Sequence, residues 1–107
     1  RPPRSTLFPY TTLFRSRNTS VTTNTSNNEV MAGDGVVLKC SADALPPTNR
    51  YTFFHNGILL HNSSSSQLAI ANTNSSNTGI YTCTPYNHLG GGHVAHVYLN
   101  VLGMTQY

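Results

Sequence analysis

Tryptophan is absent from this chain, lysine occurs once, and the only acids are Glu29, Asp34 and Asp43. Three scattered carboxylates leave no pair for general acid and base work, so an enzyme is not expected. No run approaches the roughly 20 apolar residues of a membrane-spanning helix. No ten-residue window carries a helical apolar stripe either. The five histidines (His55, His61, His88, His93, His96) stand apart from any cysteine or carboxylate. His93 and His96 are an odd step apart, which sends them to opposite faces of a strand. They read as solvated or loop histidines, and no metal or cofactor is implied. Gly90-Gly91-Gly92 has no following helix and no lysine nearby, so it reads as a hairpin turn and not as a phosphate loop.

At 107 residues there is room for one domain with a single core. The formal charge of +3 invites a nucleic-acid reading that its distribution refuses. Arg1, Arg4 and Arg15 lie in the first sixteen residues; beyond them Arg17, Lys39 and Arg50 balance the three acids. The basic character therefore belongs to RPPRSTLFPYTTLFRS, which resembles no domain. It is similar, without a mismatch, to the in-frame translation of a widely used sequencing-adapter oligonucleotide. Nor does it suit a signal peptide, since Pro9 interrupts what little apolar sequence it has. Residues 1–16 are expected to be adapter-derived and to lie outside the fold. Residues 17–102 are expected to form the domain, and 103–107 to begin a linker or the next segment.

From Arg17 onward, short alternating segments are separated by turn chemistry. An edge strand is expected around Ser20 to Thr23. Ala32-Gly33-Asp34-Gly35 is a turn, and Val36, Leu38 and Cys40 then share one face of a strand. Pro46 and Pro47 stop it, because proline cannot donate to a ladder. Tyr51 to His55 run into Asn56-Gly57, a strong hairpin signal, and Ile58-Leu59-Leu60 return. Leu68 and Ile70 mark a short strand, Ile80 to Pro85 another, and Val94 to Val101 the last. About seven short strands with regular turns predict an all-β, antiparallel β-sandwich. Its core would take Leu38, Cys40, Leu68 and Ile70 from one sheet. Tyr51, Phe53, Tyr81, Cys83, Val97, Leu99 and Val101 would come from the other.

Cys40 and Cys83 are the only cysteines, 43 residues apart, each on an inward position of its own strand. A disulfide closing that loop would stabilise the fold by roughly 4 kcal/mol and imply an oxidising compartment. Two buried free thiols are the alternative; a nucleophilic thiol fits less well, with no charge nearby to lower its pKa.

These residues resemble the immunoglobulin superfamily. Asn77-Thr78-Gly79-Ile80-Tyr81-Thr82-Cys83 is similar to the family's D-x-G-x-Y-x-C, and Tyr81 matches its tyrosine corner. Tyr51-Thr52-Phe53-Phe54-His55-Asn56-Gly57 resembles Y-x-W-Y-x-x-G, which puts Phe53 in the core tryptophan's place. Asn87-His88-Leu89-Gly90 resembles the N-x-x-G of the last hairpin. The likeness covers about Ser20 to Leu102 and implies one inter-sheet disulfide. Phe53 is smaller than tryptophan, and Asn77 cannot form the family's buried ion pair. The short connection from Leu60 to Gln67 leaves no room for variable-domain strands, so the intermediate or constant-2 type is implied. The Asn- and Ser-rich style and the ending Val-Tyr-Leu-Asn-Val-Leu are similar to carcinoembryonic-antigen-type adhesion molecules.

Glycan-acceptor sequons occur at Asn18, Asn24, Asn62 and Asn74, all on expected loops or edges. At least two are expected to be occupied, Asn62 and Asn74 ahead of Asn18. If Phe53 points inward, alternation turns Phe54 outward, with Thr82, Thr84, Tyr86, His96 and Tyr98 beside it. That face, nearly free of charge and carrying aromatics, is a candidate surface for a protein partner, homophilic or heterophilic. The resemblance implies an extracellular domain of a cell-surface adhesion or receptor protein, acting by recognition or as a spacer. Nucleic acid is not an expected partner, and any membrane anchor would lie elsewhere in the full chain. An immune receptor or secreted binder of pathogen surfaces is the alternative. An intracellular muscle-filament-type domain would lack both disulfide and glycans.

Overall fold

A computed structural model of the chain describes residues 13–103. The strands in chain order are β1 (Phe14–Thr23), β2 (Glu29–Met31), β3 (Val36–Leu45), β4 (Arg50–His55) and β5 (Ile58–Ser63). They continue with β6 (Gln67–Ile70), β7 (Gly79–Asn87), β8 (Gly90–Gly91) and β9 (Ala95–Leu102). Seven are full strands at the expected places; β2 and β8 are short additions. One sheet has the order β1-β3-β6. The other runs β2-β9-β7-β4-β5, with β8 on the end of β7.

The alternating sequence of β3 explains its burial. Val36, Leu38 and Cys40 turn inward and are almost fully buried, while Lys39 and Ser41 face water. On β7 the same rhythm buries Tyr81, Cys83 and Pro85. The register Phe53–Cys83 and Tyr81–Val97 carries it sideways into β4 and β9. Val21, Val30, Phe53, Ala95, Leu99 and Val101 complete the core, with Tyr51, Leu68, Ile70 and Val97 half-buried at its margin.

Asn56 and Gly57 take the two left-handed positions of a tight hairpin turn, φ 49° and 86°, and return the chain into β5. Cys40 and Cys83 are bonded across the sheets with their Cα atoms 6.3 Å apart. The free-thiol alternative is thereby removed.

Two features differ from the sequence expectation. β2 pairs with β9 in parallel, so the chain leaves the first sheet after β1 and joins the second. Three residues are too few to show a period. The second difference is the domain's start, placed by sequence at residue 17. β1 begins at Phe14, and Ser16 is 1% exposed, so the strand takes in Phe14–Ser16, with Phe14 half-buried and Arg15 exposed. The reason is local. Ser16 is small enough to lie against Gly92, its carbonyl accepts the His93 amide at 2.8 Å, and the Phe14 carbonyl accepts from Asn87. Residues 1–12 of the adapter-like segment lie outside the described residues, as do 104–107 of the expected linker.

Replacing Cys40 and Cys83 together by alanine should lower unfolding stability by about 4 kcal/mol, the chain-entropy value for such a loop. Urea unfolding of oxidised wild type against the double variant measures it, and a loss under about 1 kcal/mol would mean that packing alone holds the sheets.

Candidate protein-interaction face

The outward face of the five-stranded path is built by parity from the bridge. Because Phe53 and Cys83 are inward neighbours, Phe54 and Thr82 are outward neighbours, and the register continues to His96 on β9 and Leu59 on β5. One row across four strands therefore reads Leu59, Phe54, Thr82, His96. The adjoining row pairs Ile80 with Tyr98. Tyr98, Leu59 and Ile80 are about half exposed, Phe54 is half-buried and His96 exposed. No Asp, Glu, Lys or Arg falls in either row.

Tyr86, expected in this cluster, stands apart. It pairs with Arg50 and Gly91, four residues and about 13 Å along β7 from Thr82. The Arg50 guanidinium lies 4.7 Å from its ring centre, so Tyr86 is covered at the far end of the strand. The structure brings together Phe54, His96 and Tyr98, and adds Ile80 and Leu59. Ile80 was legible from the alternation that gave Thr82. Leu59 was not, because a register shift between Phe53 and Phe54 makes Leu60 an extra residue in β5.

One end of this face is anchored by the motif residues. The Tyr81 hydroxyl donates to the Asn77 carbonyl at 2.5 Å, and the ring stacks on His55 at 4.4 Å between centres. Asn77 uses its side chain to accept the Asn74 amide at 2.8 Å, closing the loop where a charged partner is lacking. Asn56 holds the hairpin to β7 twice: its amide donates to the Ile80 carbonyl at 2.8 Å, and its Oδ1 accepts the Ile80 amide at 2.9 Å. Gly79 makes this approach feasible. At φ 147° it sits in glycine's region, and a Cβ there would fall 2.5 Å from Asn56 Oδ1 and 2.8 Å from His55 Nε2. Phe53 is wholly buried, with the His61 ring packed edge-on against it. At the opposite end Asn87 is buried and donates to the carbonyls of Phe14 and Pro46 at 2.8 and 2.9 Å.

All four sequon asparagines are exposed. Asn18 lies on β1, where its amide donates to Asp43 at 3.2 Å. Asn24 follows β1 and accepts the Val37 amide. Asn62 lies on β5, and Asn74 caps a short 3-10 turn by accepting from Ser76. Among the described residues no three His, Cys, Asp or Glu side chains converge, and no helix is long and apolar enough to cross a membrane.

A family model described as "Immunoglobulin domain" matches residues 19–87. Among solved structures, the mouse nectin-like molecule 4 ectodomain is similar over 83% of this chain and 31% of its own, at 22% identity and TM-score 0.67. The N-terminal four Ig domains of Dscam1 isoform 4.44 give 81%, 21%, 18% and 0.64 in the same order. The titin M10–obscurin-like 1 Ig complex gives 73%, 87%, 21% and 0.60. The chain thus spans less than a third of the first two relatives. Among curated proteins no match is found.

Gly79→Ala should cost about 3 kcal/mol, combining a strained backbone with displacement of Asn56, measured by denaturant unfolding. The pH dependence of stability tests Tyr81. Burial pushes its phenol above the ordinary 10.0, with the contact to Asn77 acting the other way. A phenol raised in the fold keeps its proton after the unfolded chain has lost its own. Its contribution is whole below pH 10.0 and is lost as pH rises through the folded value. Tyr81→Phe should flatten that alkaline limb while lowering neutral-pH stability by about 1 kcal/mol.

Proposed function

Because the chain belongs to the immunoglobulin-domain family, we propose that it is one extracellular domain of a cell-surface adhesion or receptor protein. It works by non-covalent recognition through the outer face of its five-stranded path. The observation that carries this reading is the largely apolar cluster of Phe54, Leu59, Ile80, His96 and Tyr98 on adjacent strands. Leaving water is cheap for such a face because it carries no carboxylate, ammonium or guanidinium to desolvate, and Tyr98 supplies a ring that can seat in a partner's pocket.

Two features support an extracellular compartment. A cross-sheet disulfide persists where thiols are oxidised, and four exposed sequons suit the same secretory route. Membership of one family with adhesion ectodomains supports the adhesion reading; the partner on this face is a protein, either a second copy or another surface molecule. Asn62 and Asn74 carry glycans ahead of Asn18, whose Nδ2, the atom a sugar would join, donates to Asp43.

Sedimentation of the secreted chain should show reversible self-association that Phe54→Ser with Tyr98→Ser weakens at least tenfold, about 1.4 kcal/mol. Association unchanged by both substitutions, or absent from the wild type, removes the homophilic use of this face. Intact-mass measurement of the same material should find at least two sequons occupied.

A further inference from the structure

β5 is the last strand of its sheet and is paired on one side only. Its sequence, Ile58-Leu59-Leu60-His61-Asn62-Ser63, holds no acid, lysine, arginine or proline. Ile58, Leu59 and Leu60 are 69%, 54% and 47% exposed. Neighbouring side chains on a strand point to opposite faces, so three in succession coat both sides of the edge with apolar surface.

An edge of this kind is a template for pairing with another chain unless something blunts it. The other free edges are blunted by their own sequence. β1 carries Arg15 and Arg17 and two register shifts, β6 has four residues, and β2 has three. β5 has one bulge, at Leu60, which interrupts its ladder but leaves it uncharged.

On that strand stands the sequon Asn62-Ser63-Ser64. Asn62 pairs with Thr52, which sets it on the outward side with Leu59. Its Oδ1 accepts a long bond from Thr52, 3.5 Å, and among the described residues its Nδ2 has no partner. Nδ2 is the atom that an N-linked sugar would join. Ile58 is four residues away, about 13 Å, within reach of a short oligosaccharide.

We propose that an N-linked glycan on Asn62 covers the β5 edge, and that a chain lacking it pairs through β5 with β5 of a second copy. Antiparallel pairing about a two-fold axis presents the same apolar run from both copies, with no lysine, arginine or carboxylate to oppose it. This rests on the extracellular reading above, because only the secretory route supplies the sugar.

The chain is secreted from a glycosylating host as wild type, Asn62→Gln and Ser64→Ala, the last removing the sequon without touching the asparagine. Site occupancy is read by mass and association by sedimentation velocity. Wild type should be modified at Asn62, and both variants should associate at least tenfold more strongly. Adding Ile58→Lys should abolish that gain, whereas adding Tyr98→Ser, on the outer face, should leave it. An unmodified Asn62 beside other occupied sequons overturns this proposal and leaves the extracellular reading standing. No occupied sequon at all defeats both. Full occupancy with no gain in the variants, or a gain that Ile58→Lys spares, overturns the shielding role.

Discussion

The bond between Cys40 and Cys83 decides which side of every strand is inside. Each cysteine sits in the middle of its strand, so the bridge fixes an inward residue in both sheets at once. Strand alternation and register then propagate that choice: Cys83 sets Phe53 and Ala95 inward, Thr82 sets Phe54 and His96 outward. A slip of one residue in β4 would bury Phe54 and expose Phe53. The outer face and the core are thus one decision made in two directions. With little charge and no tryptophan, few other features could enforce it.

The motif around Tyr81 turns this two-dimensional order into a fixed third dimension. Gly79 lets the β4–β5 turn press onto β7, Asn56 locks it there through both its amide and its side chain, and His55 stacks on the Tyr81 ring. Ile80, the residue Asn56 grips by its backbone, shows its side chain on the outer face beside Tyr98. One end of the outer face is therefore tied by hydrogen bonds to the buried strand beneath it. Asn87 does similar work at the far end, satisfying partly buried carbonyls of β1 and of the loop after β3.

Much of this was legible because the signals are local. Period-two patterning around Cys40, the Asn56-Gly57 turn and the spacing from Gly79 through Tyr81 to Cys83 each report on a few adjacent residues. What escaped depends on distant pairing. β2 is defined by its partner β9 and not by its own three residues. The extra residue at Leu60 and the separation of Tyr86 from Phe54 are facts of register. The start of β1 is set by Gly92, some seventy-five residues away, which has no side chain to keep Ser16 out.

The parallel pairing of β2 with β9 has a mechanical consequence. These strands lie near opposite ends of the domain's chain yet run side by side in the same direction. A pull applied before β2 and after β9 drags them in opposite senses along their length. Their evenly spaced hydrogen bonds are then sheared together and do not open one after another. Should that patch give way, the covalent loop between residues 40 and 83 stays closed and its length cannot be drawn out. A domain so wired would yield under tension by a short, limited extension and keep much of its sandwich threaded on the bridge.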